Sequence, residues 1–269
     1  MPAFKIAYQF ADTPSIDNIP EEIRSLLSEV IRSYLDILGG RLYSVYVHGS
    51  ASRGDWRARK SDLDTVAITK GLITNTEMAS LVVRQHQLER GQGLVSKIEM
   101  RAVDWVWLTG KSDDSNNFNL KLACTGVCAW GAAIDFAALL PPMELVFGQY
   151  VDARRQRLAG YRKTTHLAVP GQEGRRLTRL YAKQAVRILN LMCALRGLPL
   201  QTHIPTQIAD IKRLVPEAHD MIEDLEHMVS GDDNRPAKAL AILEKTIRLY
   251  DTLSPVIVEG ARCSAPRGR

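Results

Sequence analysis

The chain has 269 residues, 45% of them hydrophobic and 24% charged, and a formal net charge of +5. That length gives one large or two modest domains with cores of their own, so a miniprotein that depends on disulfides or metal staples is excluded. The composition is globular, and 18 Gly with 12 Pro fall in no period, which excludes collagen-like, low-complexity and wholly disordered chains.

The N-terminal residues MPAFKIAYQFADTPS contain one early Lys and no apolar run, so they do not read as a signal peptide. Cys124, Cys128, Cys193 and Cys263 lack the spacing of a disulfide framework or of paired zinc knuckles and read as reduced thiols. The least charged stretch, Leu122 to Leu140, is interrupted by Thr125 and Asp135. The expectation is a cytoplasmic protein without a membrane span.

From Pro20 to Leu38, apolar residues recur at Ile23, Leu26, Leu27, Val30, Ile31, Tyr34, Leu35 and Leu38, which predicts an amphipathic helix. Pro20 and Glu21-Glu22 mark its start and Gly39 its end. Leu42 to Val47 and Leu63 to Thr69 are aromatic and β-branched and read as strands, joined by the polar loop GSASRGDWRARKSD. Thr74 and Glu77 form a capping-box pattern opening a helix to Arg90, with Met78, Leu81, Val82, Gln85 and Leu88 expected on one side. Val95 to Leu108 reads as extended again. This order predicts an α/β (α+β) first domain with a mixed sheet, over residues 1–140.

From about Leu120 the pattern turns helical, with stretches near 143–165, 175–196, 205–229 and 236–258. These predict an all-helical second domain over 141–259, with 260–269 as a disordered basic tail. Charge divides the same way. Residues 1–140 hold 15 Lys+Arg against 16 Asp+Glu, whereas 141–269 hold 20 against 14. Arg154 to Arg187 has ten basic residues and one acid, and Glu217 to Asp233 has seven acids and no Lys or Arg. Such segments suit charged ligands, or pairing across a homodimer.

The chemistry concentrates in VYVHGSASRGDWRARKSDLDTVAI, residues 45–68. Asp62 and Asp64 are two apart at the start of a strand, so their carboxylates point the same way. Adjacent carboxylates repel unless a cation holds them, and an all-oxygen pair suits Mg²⁺ with phosphate oxygens in its remaining positions. Gly49 lets a phosphate chain approach the backbone, and Ser50 offers a hydroxyl and an amide. Glu99, on the third extended segment, is the candidate third acid, to hold a metal or take a proton; Asp104 competes with it. His48 beside the motif reads as structural. Trp105 and Trp107 read as packing residues on one strand face.

At these residues the sequence resembles the DNA polymerase β-like nucleotidyltransferase superfamily, nearest to the small antibiotic (aminoglycoside) nucleotidyltransferases. The shared pattern is helix, strand–G-S–loop–D-x-D–strand, then an acid on a later strand: Gly49, Ser50, Asp62, Asp64 and Glu99 here. Gly54 and Ser61 also fit, although this loop is one residue longer than the common form. VCAWG (Trp130, Gly131) and Y-x-K-x-x-x-R (Tyr181, Lys183, Arg187) are weaker echoes. The resemblance implies Mg²⁺-dependent transfer of a nucleoside monophosphate, commonly from ATP, to a hydroxyl, with Asp62, Asp64 and Glu99 as catalytic metal ligands and Gly49 and Ser50 at the nucleotide. Lys183 and Arg187, four apart on a predicted helix, are added as nucleotide-binding candidates. The expected acceptor is a small molecule such as an aminoglycoside. A protein or RNA acceptor, or a non-catalytic nucleotide-sensing module, are the alternatives.

Overall fold

The computed structural model describes residues 8–11, 14–167, 171–231 and 233–264. The chain divides into two compact units, Asp12–Leu140 and Pro141–Arg269, the second of which also includes the N-terminal segment through Ala11.

In the first unit, α1 (Glu21–Leu38) leads into β1 (Leu42–His48), the one-turn α2 (Ser50–Arg53) and β2 (Leu63–Thr69). Then come α3 (Asn75–Gly91), β3 (Ile98–Asp104), α4 (Trp105–Thr109), α5 (Asp113–Thr125), β4 (Val127–Gly131) and α6 (Phe136–Leu139). The sheet order is β3-β2-β1-β4, with β1 antiparallel to β2 and β4, and β2 parallel to β3. A parallel pair needs a crossover, and α3 supplies it.

Alternation along the strands sends side chains to two faces. Val45, Val47, Leu63, Ala67, Ile98 and Met100 pack with Ile23, Leu26, Leu27, Val30 and Tyr34 of α1 and with Leu81 and Leu88 of α3. Tyr46, Val66 and Ile68 pack on the opposite face with Leu108, Phe118, Leu122 and Phe136 from α4, α5 and α6. The capping box at Thr74 and Glu77 forms as expected. The face of α3 is narrower than expected, because Met78 and Val82 are exposed while Gln85 and Glu89 turn to the sheet. The β3 edge explains this. The Gln85 side chain accepts from Met100 N at 3.1 Å and Glu89 from Ile98 N at 2.9 Å, which satisfies edge amides that no strand pairs.

Two readings of the first unit are corrected. The third extended segment ends at Asp104, whose carboxylate accepts from Trp107 N at 2.8 Å and caps α4, so Trp105 and Trp107 lie on a helix. Trp105 meets Tyr43 and Trp107 meets Phe118. The chain also does not turn wholly helical at Leu120, because VCAWG is a strand. Gly126 ends α5 in extended backbone, and five residues add to the open side of β1.

The second unit is α7 (Met143–Leu167), α8 (Gln172–Leu195), α9 (Ile204–Leu214), α10 (His219–Ser230) and α11 (Pro236–Ser264). α8 is its central helix, with Leu177, Tyr181, Ala185, Ile188, Leu189 and Met192 buried. The stretch expected as one helix over 205–229 is two, broken at Val215-Pro216, since proline lacks the amide a continuing helix needs. The backbone is helical through Ser264, inside the stretch expected to be a disordered tail; residues 265–269 lie outside the described residues. Leu200 N donates to Gln9 O at 2.7 Å and Ala11 N to Leu200 O at 3.1 Å, which ties residues 9–11 to this unit. The acidic stretch from Glu217 is engaged within it: Asp220 with Lys245, Asp224 with Lys238 and Arg235, and Glu226 with Lys212. Among the described residues, no helix is long and apolar enough to cross a membrane.

Candidate active site

The strand register assembles the site. His48 at the end of β1 pairs with Asp64 of β2, and Asp64 pairs with Glu99 of β3. The three residues form one row across neighbouring strands, on the same sheet face as Tyr46 and Val66. Tyr34 of α1 steadies the row from behind. Its hydroxyl lies 3.0 Å from Thr65 Oγ1 and donates to Arg101 O at 2.9 Å, and Thr65 Oγ1 donates to Glu99 O at 2.8 Å.

Gly49 follows the row directly, with φ +79°, a backbone conformation that side chains resist, and a Cβ there would collide with Asp64 Oδ2. The turn into α2 is tied down by Ser52, which is fully buried and whose hydroxyl donates to Thr125 O at 2.6 Å. Ser50 opens that turn. Asp62 lies just before β2, is exposed, and accepts a hydrogen bond from Ser96 Oγ. Leu63 N donates to Lys97 O and Ser96 N to Ser61 O, so this end of the loop is bound to the lead-in of β3.

The electrostatics follow from crowding acids at strand ends. Asp64 and Glu99 have side chains 23% and 20% exposed. Burial, then the hydrogen bond with Glu99, push the Asp64 carboxyl up to about 7. Burial acts on Glu99 in the same sense, but the hydrogen bond from Asp64 and the charges of Arg101 and Lys121 outweigh it and hold Glu99 below its ordinary value. The two carboxyls therefore share one proton, with the negative charge on Glu99, which Arg101 also pairs. His48 is 1% exposed, its Nδ1 is 3.9 Å from Asp64 Oδ2, and neither ring nitrogen has a hydrogen-bond partner. Burial, then the charge of Lys121, lower its pKa to about 3, so the ring is neutral.

Asp62, Asp64, Glu99, Gly49 and Ser50 all belong to this corner of the first unit. Lys183 and Arg187 do not; they lie on α8 of the second unit, the former half-buried and the latter exposed. Asp104 is committed to capping α4. Two residues beside the row stand outside the expected site, Arg101, two positions from Glu99 on the same strand, and Lys121 on α5; His48 stands in the row as a buried, neutral ring, in keeping with a structural residue. The strand period pointed to Arg101. Nothing in the local sequence at Lys121 shows that α5 covers this face.

Among the described residues, no three His, Cys, Asp or Glu side chains are gathered as around a bound metal. The Asp64–Glu99 pair nevertheless has the donor chemistry of a hard divalent cation: two oxygen acids in contact, here held together by a proton.

Comparison with known proteins adds the fold. No protein-family model and no curated protein sequence matches the chain. Among solved structures it is similar to spectinomycin adenyltransferase AAD(9) from Enterococcus faecialis, solved with ATP and spectinomycin. The TM-score is 0.60 at 13% identity, covering 83% of this chain and 98% of that one. Partial matches are a toxin–antitoxin structure with AMP-PNP (17% identity, 51% of this chain and 97% of that one, TM-score 0.32) and a point mutant of the MntA-HpeT toxin–antitoxin (18% identity, 52% and 97%, TM-score 0.30). The chain has the nucleotidyltransferase fold: a mixed-sheet domain followed by a helical region.

Proposed function

We propose that the protein is a Mg²⁺-dependent nucleotidyltransferase that moves a nucleoside monophosphate, AMP from ATP, to a hydroxyl of a small molecule such as an aminoglycoside-type antibiotic. The observation that carries this reading is the register row Asp64–Glu99 beside a glycine turn whose positive φ and close approach to Asp64 disfavour any side chain. The overall likeness to an adenyltransferase solved with ATP and spectinomycin favours ATP and a small acceptor.

In this reading residues 1–140 carry the chemistry and 141–259 bind nucleotide and acceptor. The acceptor oxygen attacks the α-phosphorus, the bond to the β-phosphate bridging oxygen breaks, and pyrophosphate leaves. Asp62, Asp64 and Glu99 would hold the Mg²⁺, which when bound neutralises phosphate charge and orients the reacting oxygens. The hydroxyl proton passes to a carboxylate of the row, Glu99 in this reading. Gly49 and Ser50 present backbone and hydroxyl to the phosphates. Lys121 adds positive charge on the side of the row covered by α5. Lys183 and Arg187 supply cations to the triphosphate.

The test is pyrophosphate release with Mg²⁺ and each nucleoside triphosphate, with an aminoglycoside panel, total RNA or no acceptor, plus mass measurement of every acceptor. A small compound gaining one nucleoside monophosphate is the expected result. Nucleotide appearing on RNA or protein would overturn the acceptor, and silence throughout would overturn the activity.

A further inference from the structure

We infer that the second unit carries its own anion site on the α7–α8 face, centred on Arg154 with Arg157 and Arg187 around it, and that it receives the oxygens of a polyphosphate.

The two faces of α7 differ in how their cations are met. Arg155 and Arg162, seven apart, turn to α11, where Arg155 pairs with Asp251 and also with Asp152, and Arg162 pairs with Glu244 at 2.9 Å. Tyr150, Arg154, Arg157 and Tyr161 follow the 3-4 spacing of a different face. That face meets α8: the Tyr161 and Tyr181 rings lie 5.1 Å apart, and Gln184 Nε2 donates to Tyr161 at 3.3 Å. One turn along each helix from that contact come Arg157 and Arg187. Arg154 lies among them, and its guanidinium is destabilised by burial and by the charges of Arg187 and Arg157.

No acid answers these cations. Among the described residues, Arg154, Arg157 and Arg187 make no ion pair, whereas Arg155 and Arg162 on the other face of α7 both do. Arg154 is nonetheless held in place. Its guanidinium carbon is 3.4 Å from the centroid of the Tyr150 ring, and Nη1 donates to Tyr150 O at 3.0 Å. Its Nε is shielded from water without a hydrogen-bond partner, as is the Tyr150 hydroxyl. Arg157 and Arg187 are exposed, so the cluster is open to a ligand. A fixed, half-buried guanidinium flanked by two exposed ones suits the oxygens of a polyphosphate, since each phosphate offers several acceptors and the anion relieves the mutual repulsion.

The anion site stands on these contacts alone; that its polyphosphate is the triphosphate of the nucleotide rests on the transferase reading. Calorimetric titration of the full chain without Mg²⁺ tests both, using inorganic tripolyphosphate, ATP and AMP. Tripolyphosphate and ATP are expected to bind, with AMP about tenfold weaker or more. Arg154→Met should weaken tripolyphosphate at least about tenfold and Arg187→Met about fivefold, whereas Arg155→Met, whose cation is already paired, should leave it unchanged. If Arg154→Met fails to fold, the exposed Arg187→Met and Arg157→Met decide. Equal binding by these variants, or an equal loss in Arg155→Met, overturns the site, as does binding of total RNA through these arginines without tripolyphosphate. Tripolyphosphate without ATP overturns only its assignment to the nucleotide. Asp64→Asn should bind tripolyphosphate like the unaltered protein, so loss of transfer and loss of the anion site are separate results.

Discussion

The acid row of the sheet and the arginine cluster of the helical unit gather charge in different ways. His48, Asp64 and Glu99 are aligned by backbone ladders, so each place is fixed by strand register and repulsion is met by sharing a proton. Arg154, Arg157 and Arg187 are gathered by the packing of two helix faces, and among the described residues no acid pairs with them. A ladder positions side chains to fractions of an ångström. A helix face positions long side chains only roughly, which suits binding a flexible polyanion better than directing a reaction.

The largest expected effect breaks the first half of that comparison. Asp64→Asn, or Glu99→Gln, should lower nucleotidyl transfer about 10³-fold or more in a pyrophosphate-release assay, with a circular-dichroism spectrum like that of the unaltered protein. Retained turnover would remove both residues from the chemistry. Gly49→Ala comes next. Its Cβ collides with Asp64 and its φ is unfavourable, so it should cost about 1–3 kcal/mol by denaturant titration and reduce transfer as well. Normal stability and activity in that variant would show that the turn is not under the constraint described.

Tyr34→Phe sharpens the point that the row is supported from behind. It removes a buried hydroxyl that bonds to Arg101 O and meets Thr65, and should cost about 1–2 kcal/mol in urea unfolding with little change in KM. A further effect is pH-dependent. Folding depresses the pKa of His48 from 6.5 to about 3, so the unfolded chain takes up a proton there that the native one refuses. The resulting stability is present above pH 6.5 and is lost as pH falls from there toward 3, by at most about tenfold in the folding constant per pH unit. Melting curves from pH 7 to 5 should fall less steeply for His48→Gln than for the unaltered protein. Parallel curves would mean that His48 titrates normally.

Much of the first unit was legible because its signals are local. The period of α1, the capping box of Thr74, the β-rich runs at 42–47 and 63–69 and the glycine after β1 are each decided within a few residues. Misreadings fell where two local signals compete. Val95 to Leu108 is rich in strand-forming residues throughout, yet Asp104 can cap, and the chain turns helical there. VCAWG is too short to declare itself and becomes a strand because β1 has an open side. The apolar period runs on across 205–229, yet the helix breaks at Pro216, where the missing amide overrides it.

By itself the sequence determined the candidate set for phosphate chemistry: a glycine turn, two acids two apart, and a further acid on a later strand. Those depend on chain neighbours and on the period of a strand, which covalent geometry dictates. Only the tertiary structure decided that Asp64 pairs with Glu99, that His48 completes the row, and that α5 brings Lys121 to it. It also decided that Arg154 lies with Arg187 rather than with the acids that satisfy Arg155. These are contacts between residues distant in the chain, fixed by which faces bury together, and no local propensity encodes them.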